Sequence, residues 1–314
     1  MRVSPLNFSR QLRPVRLGLL GGFSAVVLGL LVSPSWAGDP FRTTDEHDIG
    51  PHAEAAFESF FKAGDYGQTR TSLALALDQE ADDPLVHGMA AAMAYLDRDW
   101  DTLAQAASRT RSTAEALTPA DPLRGHLYTA VGIFLEGAHM YKTEGGGPGT
   151  IASALVMLQQ VFSEIGKAEA IDSNDPELNL IKGYMDVLLA VNLPFSDPEK
   201  AIERLAEFGS PDYLAHRGIA IAYRDLKQLE AAMDSVDLAL AAAPENPELF
   251  YLKAQLHRLQ KQTQASITMF DKALEYAPQL PAQLTRKIYR ERCRVMGGGH
   301  DLCSQEADDF LQSL

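Results

Sequence analysis

The sequence predicts an all-α fold, an α-α superhelix of about six helical-hairpin units with capping helices at the C-terminus. Three observations predict it. In the C-terminal half two consecutive stretches, 213–246 and 247–280, carry one pattern, with Pro244 and Pro278 at the same place 34 residues apart. Upstream, Asp83-Pro84, Asp121-Pro122 and Asp175-Pro176 recur as helix starts, where the acid caps free amides and the proline suits the first turn. No stretch shows the two-residue alternation of a half-buried strand.

Residues 51–280 form the predicted repeat domain. Its first unit, 50–83, sets Phe57 and Phe60 inward, turns at Ala63-Gly64-Asp65-Tyr66 and places Ala76 in the second helix. The second starts at Asp83-Pro84, with Ala91 and Tyr95 before a turn at Arg98-Asp99-Trp100. The third starts at Asp121-Pro122; its first helix reaches about Tyr141, its turn is the loop Gly145–Gly149, and its second helix spans about 151–170. Both helices are long. The fourth starts at Asp175-Pro176, with Gly183 in its first helix, an enlarged turn over 193–198 and Ala201-Ile202 beyond it.

The fifth and sixth units are the two in-phase stretches. Ala220 aligns with Ala254, Ala232 with Ser266, Val236 with Phe270 and Ala239 with Ala273. Small residues let backbones approach where helices cross, and bulky ones such as Ile219, Tyr223 and Val236 fill the space around them. The proline ends each second helix, because it lacks an N–H and clashes with the preceding turn. From 281 to 314, polar helices are expected to cap the last repeat.

On these residues the stretch 213–280 resembles two tandem tetratricopeptide repeats, and the same register extends with falling fidelity over about 50–280. The resemblance implies a right-handed solenoid in which the first helix of each unit lines a concave groove for peptides or partner helices. Some members of that family grip carboxylate tails with an Asn at place 9 of the unit. Here that place holds Glu58, Ala92, Tyr184, Ile221 and Gln255, which argues against that activity.

With 28 Lys and Arg against 42 Asp and Glu, the net charge is −14, and such a surface repels nucleic acid and anionic head groups. Residues 1–37 are the exception. Arg2, Arg10, Arg13 and Arg16 precede or flank a charge-free run, Leu17 to Val32, and Ser35-Trp36-Ala37 offers small residues at a cleavage site. This predicts a signal peptide cut after Ala37 and export to a periplasm, or to a thylakoid lumen in a photosynthetic source. The alternative is an uncleaved anchor, the one way in which membrane association is expected. Residues 38–50 are then an extended, solvated leader. The two cysteines, Cys293 and Cys303, are expected to form a disulfide in that compartment, stabilising by about 2–3 kcal/mol, with free thiols as the alternative.

By register, Arg217, Ile221, Arg224, Tyr251, Gln255 and Arg258 are the candidate peptide-binding groove. The three arginines suit bidentate capture of a carboxylate or of an acidic segment on a protein partner, with Tyr251 beside them; the competing reading pairs them with nearby acids such as Glu248. Glu54 and Glu58 at the equivalent places of the first unit reverse the sign of the groove. The loop 145–149 lacks the lysine of a phosphate cradle. Asp45, Glu46, His47, Asp48 and His52 are metal-ligand types without ligand spacing, so no metal and no cofactor are expected. No catalytic motif is present, and no enzyme is expected.

The expected function is an exported scaffold or adaptor that binds another protein and assists assembly of an envelope or thylakoid complex. A rival is a hydrolase or small-ligand-binding protein with a pocket in the enlarged third unit, 121–170, built from His126, Tyr128, Glu136 and His139. A third reading is self-association.

Overall fold

The computed structural model describes residues 38–192 and 197–314. The expected signal segment 1–37, its cut after Ala37, and most of the turn expected at 193–198 lie outside the described residues. Among those residues there is no strand, and fourteen α-helices pair in sequence. The hairpins are α1 (Pro51–Phe57) with α2 (Tyr66–Gln79), α3 (Pro84–Asp97) with α4 (Trp100–Leu117), and α5 (Pro122–Glu144) with α6 (Pro148–Ile171). They continue as α7 (Pro176–Asn192) with α8 (Pro198–Phe208), α9 (Asp212–Asp225) with α10 (Leu229–Ala242), and α11 (Pro247–Leu259) with α12 (Thr263–Glu275). The pair α13 (Ala282–Val295) and α14 (His300–Gln312) closes the end. This is the helical-repeat solenoid that the 34-residue period predicts.

The helix starts follow the expected chemistry. The carboxylate of Asp83 accepts the Leu85 amide at 2.9 Å, that of Asp121 the Arg124 amide at 3.0 Å, and that of Asp175 the Leu178 amide at 2.6 Å. Asn246 does the same before α11, taking the amides of Glu248 and Leu249. In the aligned units Ala220, Ala232, Ala239, Ala254 and Ala273 are fully buried, with Val236 and Phe270 filling the gaps between crossings. Ser266 fits among the alanines because its hydroxyl donates to the Ala254 carbonyl at 2.8 Å.

A very close crossing lies between α4 of the second unit and α5 of the third. Along α5, a Cβ on Gly125 would come within 2.5 Å of Thr118 Cα, and one on Gly132 within 2.7 Å of the Arg111 nitrogen. Glycine is therefore a packing requirement there. The α5/α6 hairpin is the longest, and the outer face of α6 leaves Ile151, Leu155, Val156 and Phe162 exposed.

The array curls until its first hairpin meets the fifth and sixth. After α1 a wide helical turn, Glu58–Ala63, ends at Gly64, whose φ of +64° suits glycine and whose missing Cβ leaves room for the Pro247 ring. The Asn246 amide donates to the carbonyls of Phe61 and Lys62 at 2.9 and 3.1 Å. The Tyr66 hydroxyl donates to Glu248 at 2.6 Å, and Arg217 of α9 holds the other oxygen of that carboxylate, also at 2.6 Å. Burial together with the neighbouring Glu248 charge pushes the Tyr66 phenol far up, so it stays a donor.

At the other end Cys293 and Cys303 are bonded, with their Cα atoms 5.5 Å apart, and tie α13 to α14. The leader departs from expectation. Residues 38–50 are irregular but packed: Phe41 and Ile49 are buried, as is Asp39. The Asp39 carboxylate accepts the amides of Phe41 and His47, at 2.8 and 3.0 Å, and folds the segment into a loop. The expectation of a solvated, extended leader is thus corrected; two apolar side chains find a core that its charges concealed.

Candidate functional site

The first helices of the first five units line an open hollow of about 490 Å³. Leu85, Met89 and Ala92 of α3, Val131, Phe134 and Leu135 of α5, Ile181, Tyr184 and Met185 of α7, and Leu214 and Arg217 of α9 form its wall. Phe57 and Phe61 close one side together with Phe41 of the leader, whose ring meets Phe57 edge-on at 4.9 Å. The polar tips of the wall turn away: the Tyr184 hydroxyl donates to the Leu214 carbonyl at 2.8 Å, and that of Tyr128 to Glu177. What remains facing the hollow is almost wholly hydrocarbon and aromatic ring.

Beside the hollow lies a buried charged floor, built largely by the acids that open the hairpins. Arg124 of α5 sits at its centre, 3% exposed, with Nε 3.1 Å from Glu177 and Nη2 3.1 Å from Asp83. Burial opposes the Glu177 charge and leaves its carboxyl above the ordinary range even though Arg124 pulls it down. Burial likewise opposes the charge on Arg124, but Glu177 and Asp83 outweigh it and keep the guanidinium protonated. The leader completes the floor from above. Arg42 pairs with Asp175, and the His47 ring lies 2.8 Å from Asp39, 3.7 Å from Glu177 and 3.9 Å from Asp121. Burial pushes the Asp39 carboxyl up, but hydrogen bonds from His47 and Phe41 outweigh it and hold it below its usual value.

This floor was not read from the sequence. The available signal was that Asp83, Asp121 and Asp175 sit at equivalent places of successive units, so their carboxylates are stacked at one end of the array. Their capping role hid their second one.

The residues singled out as a groove divide into two groups. Arg217 is alone at the hollow, ion-paired with Glu248. Tyr251, Gln255 and Arg258 do converge, on a carboxylate that belongs to the chain, and Arg224 joins them through Gln255. Arg224 donates to Gln255 at 3.1 Å, Gln255 and Tyr251 donate to Glu291 of α13 at 3.3 and 2.8 Å, and Arg258 approaches it at 3.8 Å. Ile221 packs against the core between them. The competing reading of the three arginines, internal pairing, is the one the geometry supports. Glu58 pairs with Lys62 at the surface, 2.8 Å away.

Of the rival pocket residues, Tyr128, His126 and Glu136 go to separate partners, and His139 is half-buried on α5. Tyr128 points into the buried floor, His126 contacts Glu164 of α6 at 2.8 Å, and Glu136 meets Arg111 of α4 at 3.3 Å. Among the described residues no group of three or more His, Cys, Asp or Glu is arranged to hold a metal ion, and no helix is long and apolar enough to cross a membrane.

Stacked antiparallel hairpins with small residues at their crossings and a hollow lined by first helices define an all-α helical-repeat solenoid. Residues 247–280, the sixth hairpin, match the sequence profile of the tetratricopeptide repeat. Proteins built from such repeats bind protein partners and generally act as scaffolds without catalysis. No curated protein matches the chain in sequence. Among solved structures, the chain is similar to PilW, a widely conserved type IV pilus biogenesis factor, at 16% identity over 73% of this chain and 92% of that one, with a TM-score of 0.46. It is also similar to human IFIT1 dimers. The one with m7Gppp-AAAA gives 17% identity over 84% of this chain and 59% of that one, TM-score 0.45; the one with PPP-AAAA gives 16% over 84% and 68%, TM-score 0.45.

Proposed function

We propose that the chain is an exported scaffold that holds a segment of another protein in the hollow formed by α3, α5, α7 and α9, assisting assembly of a complex in a periplasm or thylakoid lumen. The apolar wall carries this reading. A hollow of about 490 Å³ lined by rings and hydrocarbon gains most from apolar side chains that leave water on entering it. The bonded Cys293–Cys303 pair supports an oxidising destination, in line with a signal segment cut after Ala37. With Arg224 bonded to Gln255 and Asp225, and Arg258 lying 3.8 Å from Glu291, the recognition we propose is mainly apolar, and an acidic segment is no longer the favoured partner.

Site-specific photocrosslinking in the living envelope tests it. A benzophenone amino acid at Val131, on the wall of the hollow, is expected to yield a discrete adduct with one protein, and the same group at Gln264, exposed on α12, none. Equal adducts at both positions, or none at Val131, would count against the hollow.

A second reading, self-association, is favoured by the outer face of α6. Ile151, Leu155, Val156 and Phe162 are 46–58% exposed there, on a stretch without charge from Pro148 to Ser163. Light scattering at two protein concentrations is expected to show a mass that rises with concentration and that Leu155→Glu abolishes; a constant monomer mass removes this reading.

A further inference from the structure

The leader lies on the inner face of the array much as a bound peptide would, and its contacts describe a ligand. Its loop, folded around Asp39, presents two adjacent side chains to two different surfaces. The Phe41 ring enters the apolar hollow against Phe57, and the Arg42 guanidinium reaches Asp175, whose side chain is fully buried. The His47 ring adds a second contact to the acidic floor, near Glu177 and Asp121. Hydrocarbon on one side and carboxylates on the other thus read an aromatic residue followed at once by a base.

The fit is imperfect in a telling way. Arg42 Nε is buried with no hydrogen-bond partner. Buried polar groups left unsatisfied weaken the attachment that holds them. The hollow also continues past Phe41 along α5, α7 and α9, so the leader fills one end of a longer site.

We propose that residues 39–49 occupy in cis the recognition site for a partner segment of the same chemistry, an aromatic side chain followed by arginine, and that the partner displaces them. This rests on the reading of the hollow as a protein-binding site and names the chemistry that it selects. The acidic floor repels an acidic segment and favours a basic one, while the adjacent apolar wall asks for the ring. Held by its covalent link to α1, the leader competes at high effective concentration, so only a partner that fills the rest of the hollow as well outcompetes it.

The test uses the full chain, wild type and F41A/R42A, with a fluorescent peptide copying residues 38–50 and a control peptide carrying both substitutions. By fluorescence anisotropy the double variant is expected to bind the wild-type peptide at least tenfold more tightly than the wild-type chain does, and neither protein to bind the control. A double variant that keeps its helical circular dichroism and melting temperature yet binds no more tightly than wild type overturns the proposal. Should that variant not fold, hydrogen exchange on the wild-type chain decides: the amides of Phe41 and His47 are expected to exchange by local opening, well before the core amides of α3 and α5. Exchange only together with that core makes the leader a fixed part of the fold and overturns the proposal. Crosslinks from Val131 that persist while peptide binding fails sink the leader's role alone; an absence of crosslinks sinks the hollow itself.

Discussion

Replacing Arg124 with methionine is expected to lower the unfolding free energy by about 3–5 kcal/mol, the cost of breaking a buried ion pair from one side. The guanidinium is 3.1 Å from both Asp83 and Glu177, and the Glu177 side chain has no solvent exposure. Methionine matches much of the volume but leaves two buried carboxylates facing each other across an apolar chain. The Tyr128 hydroxyl and the leader's His47 then remain beside Glu177. Urea melts followed by circular dichroism measure the loss. The double change Arg124→Met with Glu177→Gln is expected to recover part of it, because one stranded charge is gone. A loss under about 1 kcal/mol for the single variant would mean that water already reaches these carboxylates and that the floor is not a sealed site.

Phe270→Ala is expected to cost about 3–5 kcal/mol, the usual range for emptying a large buried ring. Phe270 has no exposure and packs beside Tyr251, with ring centroids 6.1 Å apart. The more informative result is how the loss is distributed. In an open array each unit leans only on its neighbours, so damage in the sixth hairpin unravels one end and spares the other. Here Asn246, Glu248 and Arg217 bind the sixth and fifth hairpins to the first. Fluorescence of Trp100, in the second hairpin, and far-ultraviolet circular dichroism are therefore expected to shift to the same lower midpoint. Two separated transitions would show that the contact between the first and sixth hairpins carries little energy.

The local chemistry of this fold was legible in the sequence. Asp or Asn before Pro marked the starts of α3, α5, α7 and α11, because capping depends on residues only three or four apart. Alanines at Ala220, Ala232 and Ala239 marked helix crossings, since only small side chains fit there. The Cys293–Cys303 bond followed from having two cysteines in a chain expected to be exported. What depends on the sum of many small rotations was not legible. Tyr66 and Glu248 are 182 residues apart in sequence, and their meeting reflects the curvature accumulated over five junctions.

The groove was half legible for a related reason. Register placed Arg224, Tyr251, Gln255 and Arg258 on one surface, and they do lie together. It could not reveal that α13 would bring Glu291 to them, because α13 lies beyond the periodic stretch. In the leader, Phe41 and Ile49 were the only large apolar residues among six charged or ionisable neighbours, and composition pointed to solvent. Two side chains with a cavity to enter outweigh that composition.

The bite of the first hairpin on the sixth also limits how this protein can change over generations. Chains built from stacked units commonly gain or lose a copy by duplication or deletion, since each new junction resembles the old ones. In this chain an extra hairpin would carry Asn246 and Glu248 out of reach of Phe61 and Tyr66 and leave their polar groups stranded. Its length is set by circumference.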